Sequence, residues 1–205
     1  MRKLSATFAL WAALSSPAAA ENLLVNPGLD VPDQLTGWTC TAPYGTATWS
    51  PIDHLASPDS GSMQHDVTAA LDNQKVRCMQ CVAVDELVTY LGSVWFYWPD
   101  DPDVSQQGTT RMSFNFFSDP DCTVDTGVAE ITVAHPTLDT WLELRTEALE
   151  APAGAASAAV YVFTWQDLAN QPVRARLDDL SFRTASIFQD GFETGSPSQW
   201  STWTP

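Results

Sequence analysis

Basic residues are scarce in this chain. Its 205 residues include nine Lys and Arg against 25 Asp and Glu, a formal net charge of −16. A polyanion of this kind repels nucleic acid and anionic membrane surfaces, so neither is expected as a partner. It suits a neutral ligand, a cationic partner or bound calcium, although solubility is the simpler cause. Histidine is rarer still, with His54, His65 and His135 scattered along the chain. Ser62, His65 and Asp66 in "GSMQHD" lie too close on one strand to form a catalytic triad. Gly-x-Ser-x-Gly, His-Glu-x-x-His and a phosphate-cradling Gly loop are absent. The expectation is therefore no enzyme. Glycoside cleavage by a carboxylate pair ranks third among the functions weighed, because separation in space is not written in a sequence.

Long apolar runs are also missing beyond the N-terminus, and no membrane span is expected. Arg2 and Lys3 precede "LSATFALWAAL" and then "SSPAAA". A positive start, a short apolar stretch and an Ala-x-Ala end describe a secretory signal over residues 1–20, with cleavage before Glu21. Glu21 is not Cys, which argues against a lipid anchor at that end. The expected destination is secreted or periplasmic.

Helical periodicity is nearly absent. Short apolar or alternating runs recur instead, broken by Pro, Gly, Asp and Ser. "NLLVN", "GWTCTA", "GTATWS", "SMQHDVTA", "KVRCMQCVAV", "TYLGSVWFYW", "TRMSFNFFS", "GVAEITVA", "TWLELRTEAL", "SAAVYVFTW" and "VRARLDDLSF" read as about ten strands, the spacing of an all-β antiparallel sandwich. "TWLELRTEALEAPAG" is read as a strand followed by loop. The domain is expected over 21–184, with a tail over 185–205.

Four cysteines in an exported chain predict disulfides. Cys78 and Cys81 are three apart, so on a strand they face opposite ways and seek different partners. Of the three connectivities, we expect Cys81 with Cys122 and Cys40 with Cys78. "CMQC" has no second pair or nearby histidines for zinc.

The two ends carry a resemblance. "NLLVNPGLD…GW" and "VRARLDDLSF" resemble the ends of bacterial jelly-roll carbohydrate-binding modules of the cellulose- and xylan-binding type, within the galactose-binding-like fold. The matching residues are Asn26, Gly28, Leu29, Asp30, Trp38, Asp178 and Asp179; Leu29 and Asp30 stand where the family has Phe and Glu, and Pro27 intrudes. The resemblance implies a jelly roll whose terminal strands lie side by side, bringing Asp30 to Asp178 and Asp179. It also implies a structural calcium at these three carboxylates. The closing "FQDGFETGSPSQWS" repeats the opening pattern and is similar to a short C-terminal element of secreted Gram-negative proteins.

Modules of this kind stack aromatic rings on pyranose faces. "VWFYW" sets Trp95 and Tyr97 on one strand face, and "YVFTW" does the same for Tyr161, Phe163 and Trp165. Trp95, Tyr97 and Trp165 are the expected ligand-binding residues, with Trp49 as a loop-side alternative. The leading expectation is a secreted, monomeric, non-catalytic module binding a polysaccharide or other glycan. The alternative is an extracellular interaction or scaffold protein with no sugar ligand.

Overall fold

The computed structural model describes residues 20–68, 71–104 and 107–185. The signal and the tail read from the sequence lie outside them, apart from Ala20 and Ala185. The described residues form eleven strands: β1 Thr39–Thr41, β2 Gly45–Ser50, β3 Ser62–Val67, β4 Gln74–Ala83, β5 Thr89–Tyr97, β6 Gly108–Phe117, β7 Asp125–Ala134, β8 Leu142–Arg145, β9 Leu149–Glu150, β10 Ser157–Gln166 and β11 Val173–Thr184. They form two sheets, ordered β1-β4-β10-β6-β7 and β2-β3-β11-β5-β8, with β9 also paired to β5. Every strand pair is antiparallel, as expected of the all-β sandwich.

Alternation decides which side chains meet between the sheets. In β5, Tyr90, Val94 and Phe96 point inward, followed by Trp98 just past the strand; in β6, Met112, Phe114 and Phe116 do so. β10 contributes Ala158, Val160 and Val162. Ring packing ties the layers together, with Phe182 5.3 Å from Tyr90 and 5.0 Å from Phe114. Burying each such ring contributes about 1.5–3 kcal/mol. The buried Trp98 indole donates to Thr110 Oγ1 at 2.9 Å, so its polar handle is satisfied. Gly108 lets β6 pass close by, since a Cβ there would lie 2.4 Å from the Trp165 carbonyl and 2.7 Å from the Trp98 ring.

β11 breaks its own alternation. Asp178 pairs with Trp95 and Ser181 with Ser93, so three steps on one strand oppose two on the other. This bulge changes the parity of the buried residues from Val173, Ala175 and Leu177 to Leu180 and Phe182. Asp179, the extra residue, takes a left-handed φ of 45°.

The opening "NLLVN" is not a strand. It runs between the edges of the two sheets and is held by side chains. Leu23 N donates to Phe182 O at 2.8 Å, and Asn22 Nδ2 to Leu180 O at 2.8 Å. Gln80 on the other sheet accepts from Val25 N at 2.9 Å and donates to Val25 O at 2.6 Å. The two ends of the domain are neighbours, but the first forms a clasp across both sheets because Asn26 and Leu29, at φ 47° and 55°, break any extended run.

Cys40 is bonded to Cys78 and Cys81 to Cys122, the pairs expected from the sequence. Cys78 is buried while Cys81, three residues on, is exposed. The opposed faces of β4 thus send one bond to the neighbouring β1 and the other to the loop after β6.

Candidate functional site

The expected ring residues fall on opposite sides of the sandwich. Trp95 and Tyr97 lie on the outer face of the six-stranded sheet, on β5; Trp165 lies on the outer face of the five-stranded sheet, on β10. One ligand cannot touch all three.

The β5 rings are half-buried, each packed against a neighbouring ring. His54 stacks on Trp95 with centroids 3.8 Å apart at 19°, and Trp141 packs on Tyr97 at 5.3 Å. The Tyr97 hydroxyl donates to Asp139 Oδ1 at 2.8 Å. Arg174 reaches both Asp66 and Asp101, and Arg145 reaches Glu143 at 2.7 Å, while Arg176 lies 5.5 Å from the Tyr97 ring centre. Trp49, the loop-side alternative, donates its indole N–H to Leu29 O at 3.0 Å and so braces the left-handed turn.

The other outer face is built differently. Tyr161, Phe163 and Trp165 alternate along β10, all half-buried. Tyr161 and Phe163 lie nearly parallel, 5.7 Å apart at 22°. Cations from the strands on either side lean over this row. On β4, Lys75 Nζ lies 4.3 Å from the Trp165 ring centre and 5.5 Å from that of Phe163, and Arg77 lies 5.9 Å from Tyr161. On β6, Arg111 lies 4.1 Å from the Trp165 centre and its Nε donates to Thr109 Oγ1 at 3.2 Å. Such contacts are worth about 0.5–1 kcal/mol each at exposed sites. Trp165 is thus flanked by cations from both sides, and its Nε1 is buried with no acceptor. Tyr161 and Phe163, adjacent to it, complete the row.

Beyond Lys75 and Arg77 the face opens into a groove of about 300 Å³, which Thr41, Tyr44, Asn73 and Gln74 also line. Tyr44 is 44% exposed and stands between this groove and a second hollow beside Gly45. Sequence reasoning found the rings of β10 but not their cations. The signal for β4 was present, since "KVRC" alternates Lys75 and Arg77 with buried Val76 and Cys78.

Asp30, Asp178 and Asp179 come to one corner. A Cβ on Gly28 would lie 3.4 Å from Asp30 Oδ1 and 3.9 Å from Asp179 Oδ1. Asp178 is fully buried; its Oδ2 accepts from His54 N at 2.8 Å and its Oδ1 from Asp179 N at 2.7 Å. Burial pushes its carboxyl up to about 7, opposed by those two N–H donors and reinforced by Asp179 and Asp53. Asp179 Oδ2 lies 2.9 Å from His54 Nδ1. Among the described residues, no three His, Cys, Asp or Glu side chains converge as a ready set of metal ligands.

The core also holds a histidine. His65 is fully buried, with Nδ1 3.1 Å from Thr164 Oγ1 and Nε2 3.3 Å from Cys78 Sγ. A disulfide sulfur has no proton to give, so Nε2 carries the proton and Nδ1 accepts from Thr164. Burial lowers the pKa of His65 to about 3, which keeps it neutral.

Comparison with solved structures settles the fold. The carbohydrate-binding module TmCBM61, in complex with β-1,4-galactotriose, aligns with a TM-score of 0.56 at 11% identity, over 81% of this chain and 100% of that one. A family 16 carbohydrate-binding module aligns at 0.51 and 15% identity, over 78% and 99%. This is the jelly-roll fold of the carbohydrate-binding modules. The enzymatically active domain of bacteriophage CBA120 tailspike protein 4 aligns at 0.61 and 14% identity, over 80% of this chain but only 21% of the tailspike. The chain likewise spans 27% of an arabinose-bound α-L-arabinofuranosidase that shares the fold. No protein-family model and no curated protein matches the sequence.

Proposed function

We propose that this chain is a non-catalytic carbohydrate-binding module whose ligand lies across the outer face of the five-stranded sheet. The row of Tyr161, Phe163 and Trp165 carries this reading. Rings on a rigid strand, with polar side chains beside them and a groove at one end, suit the apolar faces and hydroxyls of a chain of sugars. The jelly-roll neighbours support it at the level of fold. The rings and cations of this face have no ion pair or hydrogen bond to a carboxylate among the described residues, which favours binding over hydrolysis. Isothermal titration against a broad panel of soluble glycans tests the reading. Binding that Tyr161→Ala and Phe163→Ala abolish supports it, with Trp165→Ala as a third probe; no binding across the panel removes it.

An extracellular interaction role without sugar is the second reading. It is favoured by the edge strand β7, where Ile131 is 57% and Val133 45% exposed. Export is part of either proposal, because two disulfides suit an oxidising compartment. A structural calcium at Asp30, Asp178 and Asp179 is proposed on the crowding of carboxylates at that corner. Binding would require Asp30 and Asp179 to turn toward Asp178.

A further inference from the structure

We propose that the glycan bound by this face is acidic, its uronate carboxylates or sulfate esters seated on Lys75, Arg77 and Arg111 while its pyranose rings lie against Tyr161 and Phe163. The proposal rests on the carbohydrate-binding reading and names the ligand class for the same site.

Charge distribution is the first argument. The chain has nine cations and 25 acids. Three of the nine share this one face, and among the described residues none of the three is ion-paired. On the opposite face Arg174 and Arg145 each hold a carboxylate, and a single cation, Arg176, lies over Tyr97 without an ion pair among the described residues. An acid-rich chain that leaves three neighbouring cations unmatched has a positive patch that its own side chains do not neutralise.

Register is the second. Arg77, Phe163 and Arg111 are directly opposed across β4, β10 and β6, in one row. Lys75 stands opposite Trp165 one step along. Arg77 and Arg111 thus flank Phe163 two strands apart, at about 10 Å, and Lys75 is two residues from Arg77 on the same face, so the three like charges share one face and repel. The repulsion is felt at Lys75, whose pKa is lowered by burial and then by Arg77 and Arg111. An anion laid over the row relieves it.

Preorganisation is the third. The rings of β10 hold the cationic heads in place at 4.1–5.9 Å. A guanidinium presents a planar fork that matches a carboxylate or a sulfate with two hydrogen bonds. Ring and cation alternate across the face, as apolar sugar face and charged substituent alternate along an acidic glycan. The adjoining groove adds the amides of Asn73 and Gln74 for hydroxyls. A nucleic acid carries a charge on every phosphate and meets the repulsive field of a chain at −16.

Titration calorimetry of the full chain tests this with oligogalacturonide, a sulfated oligosaccharide, neutral xylohexaose and galactohexaose, and an oligothymidylate. The variants are Arg77→Gln, Arg111→Gln and Lys75→Met, each checked by thermal melting for an intact fold. Support is an acidic oligosaccharide bound at least about 10-fold tighter than the neutral ones, with affinity falling about 10-fold between roughly 50 and 500 mM salt. Each variant should weaken acidic binding by about 5-fold or more, as expected for loss of a charge-assisted contact. The uronate and sulfate arms separate the two sources of charge. Neutral glycans bound as tightly, with no effect of salt or of the variants, overturn the acidic assignment and leave the carbohydrate reading standing. Tighter binding of the oligothymidylate overturns it in favour of nucleic acid. No binding of any glycan removes both.

Discussion

Arg111 stands 4.1 Å from the centre of the Trp165 indole, with Lys75 reaching the same ring from the strand on the other side. The indole acts as a post between two cations. Replacing Trp165 with Leu removes two cation–π contacts and part of a buried ring. We expect a loss of about 1–2 kcal/mol in urea unfolding, most of it from these contacts. Trp165→Phe, which keeps a ring, should recover at least half of that loss. Equal losses in the two variants would place the cost in packing volume alone.

His65 predicts an acid-sensitive core. Its pKa falls from 6.5 to about 3 on folding, so below pH 6.5 the unfolded chain binds a proton that the native core refuses. Its contribution is complete above pH 6.5 and is lost as pH falls toward 3, at about 1.4 kcal/mol per pH unit. Asp178 acts in the opposite sense, since a carboxyl raised to about 7 favours the native state at low pH and loses that advantage as pH rises from 3.8. Comparing wild type with His65→Gln isolates the histidine. From pH 7 to 5 the wild type should lose about 2 kcal/mol more than the variant in chemical denaturation. Parallel curves would contradict a neutral buried imidazole.

The two disulfides should open in sequence. Cys81 lies on the exposed face of β4, whereas Cys78 is sealed in the core beside His65. Graded dithiothreitol followed by alkylation and peptide mass spectrometry should label Cys81 and Cys122 before Cys40 and Cys78. Replacing either pair with Ser should cost about 4 kcal/mol by loop-closure entropy, since the pairs are 38 and 41 residues apart. Labelling of Cys78 first would show that the core opens more readily than its packing implies.

The carboxylate corner carries the calcium proposal. Calcium should raise the thermal midpoint and EGTA lower it, because an ion bound only by the native state stabilises that state. Asp30→Asn should abolish the response. Identical melts with calcium and with EGTA would remove the proposal.

Much of the architecture was legible in the sequence because strands announce themselves locally. "KVRCMQC" alternates, so its two cysteines had to part. "VWFYW" had to bury Phe96 and Trp98 if it exposed Trp95 and Tyr97, and it does. The opening segment was misread because "NLLVN" has the composition of a strand, while the turn at Asn26 and Leu29 takes φ values that composition does not reveal. The choice of face was not legible either. One face of Trp95 is taken by His54, 41 positions earlier, whose backbone N–H is hydrogen-bonded to Asp178. Trp165 acquires its meaning from Lys75 and Arg111, which only the pairing of β10 with both β4 and β6 brings near. Such long-range partnerships depend on sheet order, and no short window of residues contains it.

The extra residue in β11 makes the end of the domain more sensitive to length than to chemistry. A substitution at Asp179 alters one corner. Deleting it would restore an unbroken two-residue rhythm with Leu180 and Phe182 still facing inward, whereas deleting Ser181 would swing Phe182 toward water or force a one-residue slip along β5. Changes of length on either side of the bulge should therefore be far less forgiving than the loss of Asp179 or any exchange of its side chain.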